Sequence, residues 1–277
     1  MLRGTLKNYL IYLFTIWFFS HASQGVHAAE SIIKVVSVLP VVDPEVVLLK
    51  IIFPRPYENK RKKPVNVQLR LENFPLGMPS RDNRSKELFD YPGGQKIHVI
   101  VDNDPYLIYN QSIKDVFFED GEYFDKIISF SLPGSLQQGP HYIRCFPARS
   151  YGESIKGEGC LAAEIFYYQD LHRVSTLEMD LNKPYLTYNE PQGRYTYNES
   201  TPLLLDFYIS NCELTIDGYK VALSINGNLI QKLAEWTPYY IYGLNKGTHN
   251  IKLELLDASN EIVPGFFNVV EREILLE

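Results

Sequence analysis

Apolar residues recur at every second position in short runs along this chain, and the runs themselves occur twice. Val65, Val67, Leu69 and Leu71 alternate with Asn66, Gln68, Arg70 and Glu72. Ile97, Val99 and Val101 alternate with Lys96, His98 and Ile100, and Ile251, Leu253 and Leu255 alternate with Lys252, Glu254 and Leu256. A period of two places one set of side chains on one face of a strand. Gly, Pro, Asn and Asp separate the runs at short intervals, as turns between strands require. No stretch carries the longer period of an extended amphipathic helix, so the chain is expected to be all-β.

The duplication sharpens this expectation. Pro64–Asn73 (PVNVQLRLEN) matches Pro202–Asn211 (PLLLDFYISN), and Lys96–Val101 (KIHVIV) matches Lys220–Ile225 (KVALSI). Leu136–Cys145 matches Leu244–Leu253 through the shared pattern L-x-x-G-x-H-x-I. Order is kept while the spacing between copies shortens along the chain. The first copy therefore carries insertions, between Asn73 and Lys96 and between Val101 and Leu136. Strands align and loops absorb the difference, as expected for two related domains. Short strands at this density suggest two tandem immunoglobulin-like β-sandwiches. The L-x-x-G-x-H-x-I spacing matches the corner that opens strand F in such folds, where an aromatic ring bonds back across the preceding connection. His141 and His249 occupy the place of that ring.

The N-terminus reads differently. Arg3 and Lys7 precede an uncharged apolar run, Tyr9 to Phe19, and a polar stretch then ends in Val26-His27-Ala28. This is the order of a secretory signal peptide, with cleavage expected after Ala28. The apolar run falls short of the roughly 20 residues that span a bilayer. No later segment is long and apolar enough, so no transmembrane segment is expected in the mature chain. The expected organisation is a signal peptide over 1–28, a first sandwich with enlarged loops over 29–172 and a second over 173–277. The expected location is secreted or periplasmic, at the cell envelope. In that compartment Cys145 and Cys160 can pair or can remain small buried apolar residues, and Cys212 is left over.

Gly139–Tyr168 (GPHYIRCFPARSYGESIKGEGCLAAEIFYY) and Pro184–Leu214, with the stretch Asp217–Asp257 after it, resemble exported bacterial proteins with tandem immunoglobulin-like, or fibronectin III-like, β-sandwich domains. The similarity covers most of the chain beyond residue 28. It implies the fold and brings no reaction with it.

Composition removes several function classes. The chain has 277 residues, a formal charge of −6 and 45% hydrophobic residues. It is not compositionally disordered, and its acidic balance argues against a nucleic-acid partner. No nucleophile elbow, H-E-x-x-H or phosphate-binding loop is present. His141 and Cys145 lie four apart on one strand, too far to form a nucleophile pair at ~3.3 Å per residue. Asp102-Asn103-Asp104 and Glu119-Asp120-Gly121-Glu122 offer hard oxygen ligands, but hairpin turns account for such residues equally well. No catalytic residue, metal site or cofactor is expected.

Two segments suggest binding. The loop from Arg149 to Glu158 joins strands F and G of the first sandwich. There Arg149, Tyr151, Glu153 and Lys156 supply a planar donor, an aromatic surface, an acceptor and a cation, either for a partner or for internal ion pairs. Trp236, in the aromatic run reaching Tyr242, packs a core or stacks a sugar. The sequence thus points to a non-catalytic module for binding, adhesion or assembly, with an unknown envelope protein or polysaccharide as partner. The alternatives are a carbohydrate-binding module and accessory domains of an exported hydrolase.

Overall fold

The computed structural model describes residues 32–42, 46–111, 114–117, 124–134, 136–170 and 180–277. The segment expected to be a signal peptide and the acidic group Glu119–Glu122 lie outside these residues. In chain order the strands are β1 (Lys34–Ser37), β2 (Leu48–Phe53), β3 (Asn59–Lys60), β4 (Asn66–Glu72), β5 (Lys96–Val101), β6 (Leu107–Tyr109), β7 (Lys114–Phe117), β8 (Phe124–Ser131), β9 (Gly139–Ala148) and β10 (Ala162–Tyr168). Then follow β11 (Tyr185–Glu190), β12 (Gly193–Tyr195), β13 (Leu203–Ser210), β14 (Lys220–Ile225), β15 (Asn228–Leu233), β16 (Tyr239–Tyr242), β17 (Gly247–Leu256) and β18 (Val269–Leu276). The fold is all-β, as two immunoglobulin-like sandwiches. No helix among the described residues is long and apolar enough to cross a membrane.

The two copies have the same strand order. In the first, sheet β2-β4-β8-β7 faces sheet β3-β10-β9-β5-β6. In the second, β11-β13-β16 faces β12-β18-β17-β14-β15. The alternating runs fill the cores as their period requires. Val67, Leu69 and Leu71 of β4 are fully buried, as are Leu223 of β14 and Ile251, Leu253 and Leu255 of β17. The repeat reaches the backbone as well. Asn73 and Asn211 both close a strand with positive φ (54° and 58°), and Asp102 and Asn226 do so after β5 and β14 (53° and 51°).

The histidine corner forms in both copies. Nε2 of His141 lies 2.7 Å from the Gln137 carbonyl, and Nε2 of His249 lies 2.7 Å from that of Asn245. The ring thus donates to the carbonyl four residues upstream. The other ring nitrogen meets the residue with positive φ after β5 or β14. Asp102 sits 2.7 Å from Nδ1 of His141 and also accepts from the Tyr142 N–H at 2.9 Å. Its carboxylate therefore serves the turn reading of Asp102-Asn103-Asp104. In the second copy the Asn226 amide lies 3.1 Å from Nδ1 of His249.

Cys145 and Cys160 form no disulfide with each other. Each is buried in the first core, and the Cys160 thiol donates to the Val47 carbonyl at 3.4 Å. One finding differs from the sequence expectation and concerns β1. Its residues fall within 29–172, but it pairs antiparallel with β16 of the second sandwich, extending that sheet to β1-β16-β13-β11.

Candidate functional site

Strand burial shows where the sandwiches meet. β17 alternates between buried and partly exposed residues, whereas β5 is buried at every position and β9 at all but one. β11 is also buried throughout. Both faces of β5 and β9 are therefore covered, one by the first core and the other by β11 and β13. This second face carries polar residues that a core would exclude. Arg144 is fully buried, donates to Thr187 Oγ1 at 2.8 Å, and holds its guanidinium 3.6 Å from the centre of the Phe267 ring. Burial pulls its pKa down to about 9. His98 lies 2.7 Å from the Asn189 side-chain oxygen and stacks on Tyr106 at 3.7 Å. Burial lowers its pKa to about 3, which keeps the ring neutral.

The loop expected to be a free binding surface lies in this joint. Arg149, Tyr151 and Glu153 are all buried. Lys156 pairs with the fully buried Asp206 of β13. Asp206 also accepts from the Ser154 N–H at 3.1 Å and the Asn189 amide at 2.7 Å. Glu153 pairs with Arg84. The loop is neither an open surface nor a solvated loop with ion pairs inside it: its charges pair outward, with Asp82 and Arg84 of the first sandwich and Asp206 of the second. Gly152 has φ +98°, and any side chain there would run into Glu190. The missing side chain lets the loop close on β11.

Trp236 also departs from an open stacking face. It is half-buried, packs against both cores, and donates its indole N–H to the Phe207 carbonyl at 2.9 Å. Its ring meets Tyr208 edge-on at 5.1 Å.

Beside the joint lies a cleft that sequence reasoning missed. It has about 90 Å³ open to a water-sized molecule. Leu88, Phe89, Tyr91 and Tyr151 line it from the first sandwich; Glu190, Tyr195, Tyr197 and Tyr242 line it from the second. Glu190 is buried and accepts from the Tyr106 hydroxyl at 2.6 Å and the Tyr195 hydroxyl at 2.7 Å. Burial pushes its pKa up to about 7 against these bonds. The Lys96 ammonium, pulled down to about 8 by burial, donates to the Ser150 carbonyl at 2.8 Å and sits 3.8 Å from the Tyr91 ring centre. The Tyr151 hydroxyl is buried with no hydrogen-bond partner among the described residues. Phe89 and Tyr242 are exposed at the rim, 42% and 36%. The only sequence signal for this cleft was the density of tyrosines. Nothing local says which tyrosines converge from segments a hundred residues apart.

No family model matches the sequence, and no curated protein matches it. Solved structures are similar at low identity. The fibronectin(III)-like modules of Clostridium thermocellum CbhA share 11% identity, with 83% of this chain and 94% of that one covered and a TM-score of 0.28. SGBP-B of the Bacteroides ovatus mixed-linkage glucan utilization locus, solved with a mixed-linkage heptasaccharide, shares 9% identity over 82% of this chain and 45% of its own, with a TM-score of 0.20. The D00-D0 domain of intimin shares 6% identity over 83% of this chain and 100% of its own, with a TM-score of 0.22. The assignment of an immunoglobulin-like fold rests on strand order and pairing, which agree between the two copies.

Proposed function

We propose that this chain is a non-catalytic, exported module for binding or assembly at the cell envelope, and that the cleft between its sandwiches is the binding site. The observation that carries this reading is the cleft itself. It is walled by aromatic rings, opens at Phe89 and Tyr242, and holds a buried carboxyl and a tyrosine hydroxyl without a hydrogen-bond partner among the described residues. Such sites combine apolar surface with a few placed polar groups. The non-catalytic part rests on how the titratable groups are engaged. Glu190, His98, Lys96 and Asp206 are each held by neighbours in the joint, and this accounts for their burial without a reaction.

The test is a screen of envelope proteins and polysaccharides, followed by titration of any hit. Phe89→Ala and Tyr242→Ala should each weaken binding by about tenfold without unfolding the chain, as expected for aromatic anchors. Unchanged affinity in both variants would remove the cleft from the account. A polysaccharide hit would favour the carbohydrate-binding reading, placed in the cleft and not at Trp236, whose ring lies between the cores. Export is tested separately by sequencing the N-terminus of the protein recovered from cells, with Ala29 expected as the first residue.

A further inference from the structure

The second sandwich does not complete its own sheet. In the first, the position beside β8 is taken by β7, which comes from the connection between β6 and β8. The matching connection in the second sandwich runs only over residues 234–238, between β15 and β16. So short a link can cross between sheets but cannot also supply a strand. The vacant position beside β16 is filled by β1, from the other end of the described chain. The register is Lys34↔Tyr242, Val35↔Ile241, Val36↔Tyr240 and Ser37↔Tyr239.

The attachment is short. The Val38 N–H extends the ladder to the Pro238 carbonyl at 2.9 Å. Ile33 and Val35 pack, partly buried, against the second core, while Val38 packs on the opposite face against the cluster of Leu88, Tyr151, Leu204 and Tyr240. Gly243, at φ +81°, allows the approach, because any side chain there would strike the Ile32 carbonyl. Beyond Val38 the chain leaves the second sandwich and is tied to the first. Arg84 donates to the Leu39 carbonyl, Arg149 donates to that of Val41, and the Val41 N–H reaches Glu153. Leu39 and Val42 on this strap are 84% and 86% exposed.

We infer that β1 is an exchangeable strand, and that the partner it fits is the β16 edge of a second copy of this chain. Main-chain pairing along an open edge is indifferent to which copy supplies the strand. Every copy carries both the donor segment and the acceptor edge, and their fit is already made within one chain. Exchange of an identical element needs no new contact, only release of a short strand and a change of path in the strap. This inference does not depend on what occupies the cleft.

The test uses paired cysteines in the full chain, in a Cys212→Ser background. Lys34 and Tyr242 are register partners with exposed side chains, and antiparallel partners stand within disulfide reach. A Lys34→Cys chain and a Tyr242→Cys chain are mixed at high concentration and oxidised. The expected result is a reducible heterodimer, several-fold more abundant than when Lys34→Cys is mixed with Ile216→Cys, an exposed site away from this edge. Val35→Asp in the donor chain should abolish the excess. Heterodimer no more abundant than the Ile216→Cys control, with Lys34→Cys and Tyr242→Cys closing internally when placed in one chain, would overturn the inference.

Discussion

Single residues explain why each copy keeps its corner, and a carboxylate in one copy and an amide in the other distinguish the two corners. Donation from Nε2 of His141 to Gln137 and a carboxylate at Nδ1 together favour a ring protonated on both nitrogens. In the second copy the amide of Asn226 stands where that carboxylate stands in the first. Burial opposes the charged form of His141, but the Asp102 carboxylate and the Gln137 carbonyl outweigh it, and the pKa is raised. A raised folded pKa gives stability that is fully present below the unfolded value of about 6.5 and is lost as pH rises through the folded value. Asp102→Asn should therefore cost roughly 1–2 kcal/mol at pH 5.5 and less at pH 8.5. Denaturant titrations at the two pH values check this, and a loss that grows with pH would contradict it. The corner was legible because its spacing repeats. Its second half was not, because Asp102 and His141 are brought together only by the pairing of β5 with β9.

At the scale of elements, the F–G loop is the clearest case of a segment whose role depends on distant chain. Arg149, Tyr151, Glu153 and Lys156 read as a recognition surface because charged and aromatic residues in a long loop commonly face solvent. Sequence could not show that Asp206 and Glu190, on strands of the other copy, complete the loop. One hint lay in β13, where Asp206 interrupts an apolar run and marks a strand that needs a polar partner on its outer face. Lys156→Met would leave Asp206 buried without its cation, which should destabilise the chain by roughly 3–5 kcal/mol. Adding Asp206→Asn, which removes the charge and keeps a side-chain oxygen for the Ser154 N–H or the Asn189 amide, should recover part of that loss. A double-mutant cycle by chemical denaturation measures the coupling, and additive effects would show that the pair does not act across the joint. Placement of β1 was illegible for a related reason: alternation gives a strand its faces but does not name its neighbour.

For the whole molecule, the sequence conveyed two sandwiches and their order but not the joint that distinguishes them from two independent domains. The difference lies in β5, β9 and β11, where burial on both faces replaces the alternation seen in β17. Lys96, His98 and Arg144 are buried there, and residues of these types are rarely buried without partners. Their partners stand on the other sandwich. The polar joint, the F–G loop and the crossing of β1 tie the two sandwiches to each other, and the expectation is that they unfold together. Calorimetry of the full chain tests this most directly, with Leu69→Ala placed in the first core only. One transition, with equal calorimetric and van't Hoff enthalpies and shifted as a whole to lower temperature in the variant, is the expected result. Two transitions, of which Leu69→Ala moves only one, would contradict it.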